Sequence, residues 1–172
     1  KKYGLAARRF CTPLVLSFGH EMNGRWYNWG LPQTKPATFI ATWRHIHKVF
    51  TNQVHATNII WAWDPAARLP KQPHGSPSSR LWWPGSAYVN WVGIDGYFRK
   101  TKRNFDAVFK ARINQVRGFT KDPIIIAETG APVGRTQVLQ INNLFRGVAQ
   151  YKLMGLVWFD IPALENYRID HV

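Results

Sequence analysis

Cysteine occurs once in the 172 residues, at Cys11, so no internal disulfide can form and no cysteine cluster is available to a metal. Acidic residues are also scarce, nine against twenty-three Lys and Arg, for a net charge of +14. No apolar run approaches the roughly 20 residues of a membrane helix. The basic start KKYGLAARRF gives way to only a brief apolar stretch before His20 and Glu21, which does not make a signal peptide, and Arg8 with Arg9 is too little for a twin-arginine signal. There is no initiator Met, so the chain is expected to be a mature product or a piece of something longer. A Gly-rich phosphate loop, an RNP-like, zinc-finger or helix-turn-helix signature and a metal-ligand spacing of His, Asp and Glu are all missing. Neither a cofactor nor a metal is expected.

What is present is a chain that is 45% hydrophobic and long enough to bury a core as a single domain over residues 1–172. Nine Trp, six Tyr and ten Phe exceed what packing needs, and aromatic faces often line sites for flat apolar surfaces, sugars included. The positive charge raises nucleic acid or a membrane surface as partners. The cations are spread along the chain, however, with one denser region from Arg99 to Lys121, where Lys110, Arg112 and Arg117 fall away from an apolar stripe and read as a solvated face. A nucleic-acid binder would also leave the placement of the acids unexplained. No nucleic-acid or membrane partner is expected.

That placement is the main signal. Five of the nine acids close an apolar run: Glu21 after LVLSFGH, Asp64 after IIWAW, Asp95 after WVGI, Glu128 after PIIIA and Asp160 after GLVWF. Strand interiors exclude charge, so acids that follow buried strands collect at one rim. The first run, from Leu14, fits a strand buried on both faces. Phe39, Ile40, Trp43, Ile46 and Phe50 then recur at helical spacing from Thr38 to about Thr51. Trp61 and Trp63 share one face of the second strand. The Pro-rich segment after it reads as a long loop ending in a sugar platform at Trp82 and Trp83. A helix with Phe105, Val108, Phe109, Ile113 and Val116 as its stripe follows the third strand, and one with Val138, Ile141, Leu144, Phe145 and Val148 follows the fourth.

Strands alternating with helices or long connections predict a parallel sheet, and a (β/α)8 barrel of TIM type fits best because its sites collect at the carboxyl ends of the strands. A complete barrel takes about 250 residues. Five units are visible, so strands four to eight are expected to be present and the first three missing. The missing N-terminal part of the barrel is then a possible partner.

Glu21 and Glu128 are two of only three glutamates, and both close predicted strands. Retaining glycoside hydrolysis needs one carboxylic acid and one nucleophilic carboxylate, about 5–5.5 Å apart. The segments FGHEMNGRWYNWG, NIIWAWDP, WWPG through YVNWVGIDGY, PIIIAETGAP and GLVWFD resemble, in order, glycoside hydrolase family 26, which includes β-mannanases, β-1,3-xylanases and mixed-linkage glucanases. The resemblance implies a secreted retaining endo-β-glycanase acting on a β-linked polysaccharide, with β-1,4-mannan first and β-1,3-1,4-glucan second. It implies Glu21 as acid/base, Glu128 as nucleophile, His20 as the residue orienting the sugar or nucleophile, Tyr97 as the nucleophile's hydrogen-bond donor and Trp158 as the platform under the reacting sugar. Trp26 fits a stacking position, Asn23, Asp95 and Trp63 complete the expected substrate contacts, and Trp61 and Trp83 are further stacking candidates. Ser17 stands where the family leads one to expect a large residue such as arginine. A truncated, non-catalytic carbohydrate-binding relative is the rival reading.

Overall fold

In the computed structural model, which describes residues 1–68, 78–99, 104–161 and 166–169, five strands form one parallel sheet in the order of the chain. Helix α1 (Lys2–Arg9) precedes β1 (Leu14–Ser17), and α2 (Pro36–Lys48) leads to β2 (Ile59–Trp63). Two short 3-10 turns, Ser79–Trp82 and Ser86–Tyr88, precede β3 (Trp91–Asp95). Next come α3 (Ala111–Arg117), β4 (Ile124–Thr129), α4 (Gln137–Gln150) and β5 (Leu156–Trp158). Each strand pairs only with its sequence neighbours, as in a barrel cut open.

Side-chain parity divides the sheet into two unlike faces. Leu16, Trp61, Trp63, Val92, Ile94, Ile124, Ile126 and Leu156 pack outward with Phe39, Trp43, Phe109, Ile113 and Leu144 of the helical layer. Burying each such side chain contributes roughly 1.5–3 kcal/mol, so the main core lies between sheet and helices. Helix α2 begins at a proline in its first turn, buries Phe39 and Trp43, and winds on as a π-helical turn from Val49 to Val54 that buries Phe50. The π turn carries the predicted stripe a little further than α-helical spacing alone would. A similar turn, Asp106–Lys110, opens α3 and places Val108 and Phe109 inward.

Several expectations change here. The first strand is not buried on both faces: Val15, on the inner face, is 52% exposed, as is Val157 on β5, because both strands are edges of the sheet. On α4, Leu144 is buried but Val138 and Phe145 are exposed, since half of the predicted stripe has no neighbouring helix among the described residues. Arg112 is buried, not solvated; its guanidinium donates to the Ala66 carbonyl at 2.9 Å and to Gln115. Trp82 is fully buried, and Trp83 packs against Trp63 and Phe119. The segment holding both precedes β3 and therefore lies at the amino ends of the strands, away from the carboxyl rim, so it is not a sugar platform there. The first part of that connection, 69–77, falls outside the described residues.

Candidate active site

Four carboxylates converge where β1 to β4 end. Glu21 lies in the loop after β1, Asp64 follows β2, Asp95 closes β3, and Glu128 is aligned with Asp95 in the β3–β4 register. The fifth acid, Asp160, is exposed and accepts the Ile169 N–H at 3.0 Å, which ties down the tail and not the site. Among the described residues no three His, Cys, Asp or Glu side chains are grouped so as to hold a metal ion.

Glu21 is held by its backbone as well as its side chain. Its φ of 52° is left-handed, a conformation a non-glycine residue adopts only when its surroundings enforce it. The enforcement is visible: the Glu21 N–H donates to the Asp64 carbonyl at 2.6 Å, and the Glu21 carbonyl accepts from Gly24 at 2.8 Å. Gly24 lets the Trp26 ring lie on the chain, where a Cβ would stand 2.5 Å from it. From there the Trp26 indole donates to Glu21 Oε2 at 2.6 Å. Burial raises the Glu21 pKa to about 7, against the Trp26 hydrogen bond, with the negative charge of Glu128 adding to the rise.

His20 shares a 3.0 Å hydrogen bond between Nε2 and the Tyr27 hydroxyl, and burial lowers its pKa, which favours neutral imidazole. Tyr27 stacks on Trp29 at 4.5 Å between centroids, and the Trp29 indole donates to the His20 carbonyl at 2.7 Å. The aromatics of WYNWG thus form a bracket around His20.

On the opposite side the Tyr97 hydroxyl donates to Glu128 Oε1. Burial and the charge of Asp64 raise the Glu128 pKa. The Tyr97 ring lies 4.9 Å from Tyr167 and 5.8 Å from Phe159. Trp158 is half-buried, with its indole donating to the Tyr167 carbonyl at 2.8 Å. The tail therefore backs the Glu128 side of the site.

The family model for glycosyl hydrolase family 26 matches residues 5–145. The chain belongs to glycosyl hydrolase family 26. Endoglucanase H of Acetivibrio thermocellus is 31% identical over 166 residues, covering 88% of this chain and 18% of the relative. Mannan endo-1,4-beta-mannosidase A and B of Caldalkalibacillus mannanilyticus is 27% identical over 158 residues, covering 87% of this chain and 28% of the relative. Among solved structures, Bacillus subtilis mannanase BCman matches with a TM-score of 0.69 at 22% identity, over 96% of this chain and 49% of that one. The double mutant of Cellulomonas fimi endo-beta-1,4-mannanase matches at 0.69 and 18%, over 90% and 37%. The chain thus spans about half or less of the length of these relatives, and its fold is part of a (β/α)8 barrel.

Within this family 26 frame the structure brings together Glu21, His20, Trp26, Asp95, Tyr97, Glu128 and Trp158. Three expected substrate contacts do not reach the opening, Asp95 among them because it is only 3% exposed beneath the glutamates. Asn23 is 1% exposed, donating to the Ala66 carbonyl at 3.1 Å and accepting from the Ala66 N–H at 2.9 Å, so its amide is fully engaged as a clamp between two loops. Trp63 is fully buried on the outward face, packed on Trp83, and has no route to a sugar; Trp61 is buried on that face as well. Sequence reasoning did not single out Tyr27, Trp29 or Tyr167. The first two carried a signal in the aromatic density after Glu21, whereas Tyr167 sits in a segment without periodicity.

Proposed function

We propose that the chain carries the reacting centre of a retaining endo-β-glycanase that hydrolyses β-1,4-mannan by double displacement, Glu21 acting as acid/base and Glu128 as nucleophile. The observation that carries the reading is the pair of carboxyls at the strand ends, Glu21 in the loop after β1 bonded by the Trp26 indole at 2.6 Å and Glu128 on β4 bonded by the Tyr97 hydroxyl, with burial raising the Glu21 pKa to about 7. Glycosidic oxygen is a poor leaving group until it is protonated, and a general acid works best when its pKa lies near the working pH. Glu128 then attacks the anomeric carbon, and the Tyr97 hydroxyl steadies its charged form. Water completes the second displacement as Glu21, now ionised, takes its proton. Neutral His20, braced by Tyr27, offers a ring nitrogen to a sugar hydroxyl, and the exposed Trp26 ring offers an apolar face beside the acid. Trp158 is the platform under the reacting sugar, and Asp95 stands behind both glutamates.

Relatives of this chain are named mannan endo-1,4-beta-mannosidases, which supports mannan as the substrate. The likeness to Endoglucanase H supports a β-glucan as the second substrate. The rest of the cleft belongs to further βα units of a barrel, and the polysaccharide places the reaction outside the cell. Reducing-sugar release from mannan and from mixed-linkage glucan tests the reading. Turnover of mannan that is lost by several powers of ten in Glu128→Ala is the expected result. Equal activity in that variant would remove the nucleophile assignment, and binding without turnover by the parent chain would favour a carbohydrate-binding role.

A further inference from the structure

Beneath the two glutamates lies a carboxyl pair that the proposed chemistry does not use. Asp64 and Asp95 are 5% and 3% exposed. The Asp64 side chain rests on the inner sheet face over Gly93, where a Cβ would stand 1.8 Å from its Oδ1. Only glycine leaves that space, so β3 is hollowed where the carboxyl sits. Burial disfavours the Asp64 anion, while the Ser17 hydroxyl on β1 and the Gly93 backbone on β3 favour it by hydrogen bonding. Its Oδ1 nevertheless has no hydrogen-bond partner among the described residues.

Among the described residues, the charges that act on Asp95 are all of one sign. Asp95 is disfavoured as an anion first by burial and then by Asp64, Glu21 and Glu128. Helix α3 brings Arg112 nearby, but its guanidinium bonds the Ala66 carbonyl and Gln115. The single ion pair among the described residues, Lys110 with Asp106, involves none of the four site carboxylates. Two carboxylates this deeply buried, with no cation paired to them among the described residues, do not both remain ionised.

We propose that Asp64 and Asp95 hold one proton between them across β2 and β3, and that Asp64 is a positioning residue whose backbone holds Glu21 and whose charge state governs that of Glu128. It acts by two routes. Its carbonyl fixes the Glu21 backbone through the 2.6 Å bond, and its carboxyl presses on Asp95 and Glu128 electrostatically. Raising the pH releases the shared proton from a carboxyl O–H to solvent, and the additional charge then holds a proton more tightly on Glu128.

The consequence for catalysis rests on the proposed roles of Glu21 and Glu128, but the measurement does not. Carbon-13 carboxyl NMR titration of the 172-residue protein, labelled at Asp and Glu, reads each midpoint without substrate. Asp64 and Asp95 are expected to titrate in two separated steps, one of them above the ordinary carboxylate range. In Asp64→Asn, the Asp95 midpoint is expected to fall by about one pH unit or more, with the Glu128 midpoint falling in the same direction. Ser17→Ala, which keeps both acids, is expected to raise the Asp64 midpoint. Unmoved Asp95 and Glu128 midpoints in a folded Asp64→Asn overturn the proposal. Should that variant fail to fold, Asp95 and Glu128 midpoints that stay fixed while the Asp64 midpoint moves in Ser17→Ala overturn it. Absence of sugar release with these shifts intact would instead count against the glycanase reading alone.

Discussion

At the scale of single residues, the most informative feature is a glutamate whose pKa burial lifts to about 7. Glu21 has an ordinary pKa of 4.5 and a folded value of about 7, raised chiefly by burial. Between these values the folded state binds more protons than the unfolded one, so stability falls as pH rises through that window. The contribution is fully present below 4.5 and lost above 7. Each pH unit of the window corresponds to about 1.4 kcal/mol before solvent screening is discounted. Glu21→Gln removes the ionisation, so its stability relative to the parent should improve by on the order of 2 kcal/mol between pH 4 and pH 8, read from urea midpoints. An advantage equal at both pH values would show that burial does not hold this proton. Glu21 and Glu128 were legible in the sequence because acids are rare and both close apolar runs. Trp63 was not, because parity pairs it with Trp61 without saying which face of the sheet is inner. Its neighbours Ala62 and Asp64, small and acidic on the alternate face, carried that information.

At the scale of elements, the loops after β1 and β2 are locked together before either meets a ligand. Asn23 satisfies both backbone groups of Ala66, and Arg112 of α3 adds a second donor to the Ala66 carbonyl. Ala67 N–H in turn donates to the Asp95 carbonyl at 2.7 Å, so the lock extends to β3. Asn23→Ala leaves the Ala66 N–H without its side-chain partner in a buried place, and a buried unsatisfied donor costs roughly 1–3 kcal/mol. The variant should therefore lose about 2 kcal/mol in urea unfolding. A loss below about 0.5 kcal/mol together with weakened sugar binding would restore the substrate-contact reading. The βα units themselves were legible from periodicity. The burial of Arg112 was not, since its position off the apolar stripe is what solvated cations also show, and only the Ala66 carbonyl of a distant loop distinguishes the two.

At the scale of the whole molecule, an open sheet meets a strongly positive chain, and the two act in opposite directions. The expectation of five units came from counting carboxylate-tipped runs, and the sheet has five strands that match about half of a solved barrel. What no count conveys is the surface this leaves. Val15 and Val157 are half exposed on the inner faces of the edge strands, and Val138, Leu139, Phe145 and Met154 extend an apolar surface along α4 and the turn after it. Unpaired edges beside exposed apolar side chains favour association between chains. The charge of +14 opposes it over distances set by the Debye length, about 30 Å at 0.01 M salt and 10 Å at 0.1 M. Salt should therefore decide between the two. The 172-residue chain at about 100 µM is expected to scatter light as a monomer at low salt and as larger species at 0.5 M. Val15→Lys adds charge at an edge where the side chain lies outside the core, and it should hold the chain monomeric at the higher salt while leaving its urea midpoint within about 0.5 kcal/mol of the parent. Association that weakens with added salt would show that contacts between opposite charges, and not the open edge, bring the chains together.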